Sequence, residues 1–220
     1  MCFEKVNSYS LSYWNIFMLN KLIIRLLNIV KKKGGSITTS PESYLIWNKI
    51  KLSGTGNRFV VHGNGKFRRC VISVKGENNT IEIEDGANIS FSNLEVVGNN
   101  CLIHIGQKTD IGGAYLSAKG EGIRLTIGDN CMFSRNINIM TYDGHPIYDA
   151  DTREILNHPQ DISIGNHVWV AANASILKGV TVNDGSIIAF GAIVTKNVEA
   201  KAIVAGSPAK EIKRNISWEH

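Results

Sequence analysis

From residue 164 onward an aliphatic residue returns at every sixth position: Ile164, Val170, Ile176, Val182, Ile188 and Val194. A second six-residue series of small or β-branched residues runs beside it, through Val168, Ala174, Val180, Ser186, Ala192 and Val198. A helix cannot hold such a series on one face, because six residues turn it through about 600°. Three flat six-residue segments instead close a triangular coil of 18 residues. Coils of that kind stack with their aliphatic positions inward, as a parallel β-helix.

The same organisation reaches upstream with a longer period. Short β-type segments end at residues 61, 83, 105, 127, 164 and 182, in steps of 22, 22, 22, 37 and 18. Gly54, Gly76, Gly98 and Gly120 recur in the same register. The 22-residue steps read as a coil with a four-residue excursion at the glycine corner. The 37-residue step reads as a coil carrying a loop of about 19 residues.

Composition supports a folded domain and limits its partners. The chain has 220 residues, 43% hydrophobic and 20% charged, which excludes a disordered chain and a coiled coil. The net charge is +5, and residues 1–35 alone carry it, so the remainder balances to zero. A nucleic-acid partner would call for a basic body rather than a basic leader, so none is expected. The body gives no sign of an acidic glycan either. Four cysteines at positions 2, 70, 101 and 131 show no zinc or CxxC spacing. They read as reduced structural thiols, which favours a cytoplasmic setting.

The first 35 residues form a separate segment. Leu11 to Val30 is apolar but broken by Lys21 and Arg25, so it suits neither a transmembrane helix nor a signal peptide. On a helical wheel Lys21, Arg25, Lys31 and Lys32 oppose Leu22, Ile23, Leu26 and Ile29, which predicts an amphipathic basic helix within residues 1–35. Two uses are open: packing on the body, or peripheral contact of residues 11–33 with the anionic inner membrane surface. Residues 36–53 read as a linker or first coil, 54–212 as the β-helix with an inserted loop at 140–161, and 213–220 as a tail.

Several motifs sit on this frame. Asp143-Gly144-His145-Pro146 lies in the loop, followed by Leu156-Asn157-His158, Ile164-Gly165-Asn166-His167-Val168-Trp169-Val170, Ile176-Leu177-Lys178-Gly179-Val180 and Gly206-Ser207-Pro208-Ala209-Lys210. Repeat, loop and motifs together resemble the hexapeptide-repeat acyltransferases, and within them the capsular polysaccharide and polysialic acid O-acetyltransferases. The resemblance implies an all-β, left-handed parallel β-helix, working as a homotrimer with its active site between subunits. It implies acetyl-CoA as co-substrate and a polysaccharide or oligosaccharide acceptor. One departure is Ala171, where the family usually has glycine after Val-Trp-hydrophobic.

Acyl transfer to a hydroxyl needs a base, a stabiliser for the thioester oxygen and a way to hold the two substrates in line. Histidine suits the first task, since its ordinary pKa lies near neutrality. The resemblance assigns that role to His145, with Asp143 as a candidate partner for its ring. His158 is the rival base. Trp169 would face the acyl donor, its indole N–H within reach of the thioester oxygen. Ala171, Ala172, Ala189 and Gly191 would form the pantetheine track. Lys196, Ser207, Pro208 and Lys210 would meet the nucleotide end. Tyr142, Asp149 and His158 are candidate acceptor contacts. No metal site is expected, since His145, His158 and His167 lack the spacing of a metal-binding set. The competing functions are N-acetylation of an amino sugar nucleotide and a non-catalytic scaffold in a glycan-assembly complex.

Overall fold

The structure is a computed structural model that describes residues 28–219. It is a parallel β-solenoid of eight coils. The first coil holds β1 (Ile29–Lys33), β2 (Ser36–Thr39) and β3 (Tyr44–Ile46), and the second β4 (Lys49–Ser53), β5 (Arg58–Val61) and β6 (Lys66–Arg68). The third holds β7 (Val71–Glu77), β8 (Thr80–Ile83) and β9 (Asn88–Ser90), and the fourth β10 (Asn93–Asn99), β11 (Leu102–Ile105) and β12 (Asp110–Ile111). The fifth holds β13 (Ala114–Glu121), β14 (Arg124–Ile127) and β15 (Met132–Phe133), and the sixth β16 (Ile137–Met140), β17 (Ile162–Ile164) and β18 (Trp169–Val170). The last two hold β19 (Ser175–Leu177), β20 (Thr181–Val182) and β21 (Ile187–Ile188), then β22 (Ile193–Val194) and β23 (Ile203–Ala205), with β24 (Lys210–Lys213) beyond them.

Each of the first seven coils gives one strand to each of three sheets, so the body is a three-faced prism. Face A stacks β1, β4, β7, β10, β13, β16, β19 and β22. Face B stacks β2 through β20 at every third strand, and face C runs from β3 to β23. All neighbours pair in parallel except β23 and β24, which are antiparallel. Alternate residues point inward, so Ile50, Ile72, Leu94, Leu116, Ile139 and Ile176 form one buried column. The six-residue series of the last coils runs through three such columns in turn: Ile164 and Val182 on face B, Val170 and Ile188 on face C, Ile176 and Val194 on face A.

The solenoid begins earlier than the sequence suggested. Ile29–Lys33 is strand β1, paired with β4 from Ile29↔Lys49 to Lys33↔Ser53. Residues 29–33 are therefore not the end of a helix, and residues 36–53 hold β2, β3 and β4. Two apolar residues followed by three lysines fit either period, and pairing with β4 decides it. The rest of the expected helix, residues 1–27, lies outside the described residues. Among the described residues no helix is long and apolar enough to cross a membrane.

The 22-residue coils are also built differently from the expected excursion. Their extra residues lengthen the face A strands to seven or eight residues in β7, β10 and β13, against three in β19. The glycines lie inside this ladder, with Gly76↔Gly98↔Gly120 in register. Gly98 has φ +130°, and a methyl group there would overlap the Gly120 carbonyl. Beside them Asn57 and Asn79 fill the corner from within. The Asn79 amide nitrogen donates to Gly98 O at 2.6 Å, and its oxygen accepts from Cys101 N at 3.0 Å. Cys70, Cys101 and Cys131 are buried free thiols in the corners. Burial pushes the Cys70 and Cys131 thiols up to about 11, so they stay protonated and inert.

Candidate active site

The inserted loop spans residues 141–161, between β16 on face A and β17 on face B. It leaves from the A/B corner, at the point where the glycine column stops: a methyl on Gly120 would meet Pro159 of the loop. Its base is closed by Gln160 N donating to Thr141 O at 2.9 Å. Inside it Tyr148 and Ile155 form an antiparallel bridge. Asp149 caps that turn, accepting from Asp151 N at 2.9 Å and Thr152 N at 2.8 Å, and these bonds lower its pKa.

His145 is exposed on this loop. The loop around it is fastened by Asn157. The Asn157 amide donates to the His145 carbonyl at 2.9 Å and to Asp143 Oδ2 at 3.0 Å, and its oxygen accepts from Ile147 N at 2.6 Å. Asp143 Oδ2 also accepts from Lys178 Nζ at 2.5 Å. The ion pair with Lys178 holds the Asp143 carboxyl below its ordinary range, with Asn157 adding to the effect. Asp143 thus spends its carboxylate on Lys178 and Asn157, tying the His145 loop to the next coil. The sequence reading had considered it as the partner of the His145 ring. It also missed Lys178 and Asn157, whose contacts join residues 35 and 14 positions apart.

Trp169 lies half-buried in β18 on face C. Its ring sits 6.0 Å from that of Trp218, which stacks on His167 at 4.0 Å. Trp218 Nε1 donates to His167 O and His167 Nε2 meets Trp218 O, both at 2.9 Å. The tail therefore runs back over the B/C corner rather than only closing the last coil. Face C lies opposite the A/B corner of the prism. The structure accordingly separates His145 and Trp169 within one chain.

The small residues of the expected pantetheine track do stack. Ala171 N donates to Ile188 O at 2.9 Å, Ala189 N to Val204 O at 2.9 Å, and Gly191 N to Ala172 O at 3.0 Å. They line the corner between faces C and A in consecutive coils. Gly191 has φ +67° and open space where a side chain would stand. Ser207 and Pro208, joined by a cis peptide, follow β23 at the same corner, and Lys210 opens β24. Lys196 is exposed beyond β22. The track and these residues leave face C on the side of Trp169.

Tyr142 and His158 flank the loop. The Tyr142 hydroxyl is 3.4 Å from that of Tyr115, which donates to Glu95 at 2.6 Å. Lys119 Nζ lies 4.6 Å from the centre of the Tyr142 ring. Burial and the Glu95 bond raise the Tyr115 pKa, so its phenol stays neutral. His158 is exposed beside Pro159, the residue that seats on Gly120. Among the described residues one group has metal-ligand spacing: His62, Glu82 and Glu84, with ligand atoms within 4.8 Å of one another. His62 Nε2 lies 3.2 Å from Glu82, and His104 Nε2 lies 3.4 Å from Glu84.

Comparison with known proteins gives the frame a family. Residues 161–196 match the bacterial transferase hexapeptide (six repeats) family. A polysialic acid O-acetyltransferase of Escherichia coli O1:K1 is 36% identical over 72% of this chain and 43% of its own length. The chain thus spans less than half of that relative. A polysialic acid O-acetyltransferase of Neisseria meningitidis is 32% identical over 66% of each chain. The crystal structure of a polySia-specific acetyltransferase superimposes with a TM-score of 0.79 at 32% identity, over 88% of this chain and 89% of that one. With that identity and that coverage of both chains, this chain belongs to the hexapeptide-repeat acyltransferases, on the side of the polysialic acid O-acetyltransferases.

Proposed function

We propose that the protein transfers acetyl from acetyl-CoA to a sugar hydroxyl of a surface polysaccharide, one that contains sialic acid. The family likeness supports the reaction class, and the names of the relatives support the acceptor. The observation that carries the mechanism is the His145 loop: an exposed imidazole on a segment fixed at three points by Asn157 and pinned by the Asp143–Lys178 pair. Holding a base in place in this way is what efficient proton removal requires.

The acceptor hydroxyl gives its proton to the His145 ring as its oxygen attacks the thioester carbonyl. Negative charge grows on the carbonyl oxygen, where the Trp169 indole N–H donates. The C–S bond then breaks, and the coenzyme A thiolate takes the proton from His145. The acetyl ester and free coenzyme A leave.

His145 at the A/B corner and Trp169 on face C belong to different sides of one prism. We therefore place the working site between copies, the loop of one chain meeting the Trp169 face and the small-residue track of the next, in a homotrimer. The coil takes the left hand of its family. Wild type and His145→Ala are to be compared for acceptor-dependent coenzyme A release. The variant should lose about 10²–10⁴-fold in rate while keeping its fold. An unchanged rate would remove His145 from the mechanism.

A further inference from the structure

The body of the chain balances its charge, but the fold does not distribute that charge evenly. Register brings Lys31, Lys33, Lys49, Lys51, Lys75 and Lys119 to outward positions on face A. Five of them are exposed and Lys119 is half-buried. The acids at outward positions of these strands are Glu77, Glu95 and Glu121, three against six lysines. Glu95 already accepts from Tyr115, and Glu121 from Asn99 and Asn100. The basic sheet is thus not neutralised from within.

Its C/A edge is a groove of about 620 Å³, lined among others by Arg69, Phe91, Asn93, Tyr115, Arg135 and Asn138. Arg69 is held over Trp47 at 5.0 Å and Phe91 at 5.5 Å. Trp47, Arg69 and Phe91 stand at left-handed corner positions with φ of 57°, 55° and 52°. Such backbone is unfavourable for bulky side chains, and it projects all three outward. Trp47 and Phe91 are 60% and 62% exposed, apolar rings kept in water beside a guanidinium. The other edge of face A is the A/B corner, from which the His145 loop leaves. Tyr115 and Tyr142, whose hydroxyls are 3.4 Å apart, link the groove to that loop.

We propose that face A is the binding platform for an acidic polysaccharide, which lies from the Arg69–Arg135 groove across the lysines toward the His145 loop. The guanidinium and ammonium groups meet its carboxylates, the aromatic rings meet the apolar faces of its sugars, and the asparagine amides meet its hydroxyls. Three coil steps separate Arg69 from Arg135, about 14 Å at sheet spacing. One sugar cannot span that distance, so binding strengthens with chain length. A second copy of this chain is a poor occupant, because stacking face A on face A would bury six lysines against three carboxylates on each side. The delivery of a hydroxyl to His145 rests on the acetyl-transfer reading above, whereas binding to face A does not.

The test measures binding to the full chain, without acetyl-CoA, of fluorescently labelled sialic-acid oligomers of increasing length. Lys51→Gln/Lys75→Gln/Arg135→Gln should weaken binding of the longest oligomer by about tenfold or more, as three solvent-exposed contacts would. The binding should fall with added salt, as for any exposed charge contact. Arg58→Gln/Arg124→Gln, on face B, should bind as wild type, and so should His145→Ala. A neutral oligosaccharide of equal length should bind weakly, with no further loss in the triple variant. The proposal is overturned by unchanged affinity in the triple variant, by an equal loss in the face B variant, by affinity independent of chain length, or by tighter binding of an oligonucleotide of the same length. Normal oligomer binding together with no acetyl transfer would sink the catalytic reading and leave the platform standing.

Discussion

The wide coils and the narrow coils of one solenoid share an inward column but do different work with their corners. Coils two to four take 22 residues each and the fifth 23; they put seven or eight into the longest face A strands and stack glycine on glycine. The sixth coil carries the inserted loop, the seventh takes 18 residues with two or three per strand, and both turn through alanines. The hexapeptide family match falls at 161–196, in the narrow part. The match to the E. coli relative runs over 158 residues and so must also take in wide coils. The narrow coils carry the proposed donor track and Trp169. The wide coils carry the broad basic face. A regular repeat is thus compatible with two specialised ends, because each coil needs only its neighbours to bury its inner residues.

Breaking a wide corner gives the largest effect. Gly98→Ala forces a side chain onto backbone with φ +130° and into the Gly120 carbonyl. We expect a loss of about 3 kcal/mol or more, measured by chemical denaturation. A loss under about 1 kcal/mol would mean that the ladder can open without cost, against the close packing of the column. Asn79→Ala comes next. It removes the acceptor of Cys101 N and the donors to Gly98 O and Lys75 O, all in a buried corner. A loss of about 2 kcal/mol is expected in the same measurement.

Gly191→Ala is the narrow counterpart. Its φ of +67° is left-handed, but open space surrounds the new methyl. The expected stability cost is only about 1 kcal/mol. The methyl would enter the proposed pantetheine track, so the KM for acetyl-CoA should rise while the acceptor KM holds. Equal stability losses for Gly98→Ala and Gly191→Ala would erase the distinction between the two kinds of corner.

Much of this was legible in the sequence, and the omissions have physical causes. The six-residue series names the solenoid because only a flat, three-sided coil returns every sixth residue inward. Ile29–Lys33 fits a helical wheel as well as a strand because it holds only two apolar residues before three lysines, too few to set a period. The wide coils were read as excursions because a glycine column looks like a turn until its partners pair with it. His145 stood out by its motif, while Lys178 and Asn157 did not, since their bonds to Asp143 cross the loop. The basic face was invisible for a similar reason. Its lysines lie on four different coils, and only strand register gathers them.

The smallest expected effect on stability belongs to the Asp143–Lys178 pair, and it separates fastening from folding. Both side chains are partly exposed, so the pair adds little to global stability. Its work is local: with Asn157 it holds the His145 loop on the narrow coil that supplies Lys178. Asp143→Asn should leave the melting temperature nearly unchanged and lower kcat by about tenfold through a looser base. The sign of the pH effect follows from the lowered carboxyl pKa. The tie is intact at neutral pH, above the unfolded value, and is lost as pH falls through the depressed folded value. Limited proteolysis with an acid-active protease should therefore cut wild type within 142–158 faster as pH drops below the ordinary carboxylate range. Asp143→Asn should be cut at a rate that does not change over that interval. If wild type is cut no faster there, Asn157 alone fastens the loop, and the ion pair is an ornament of the surface.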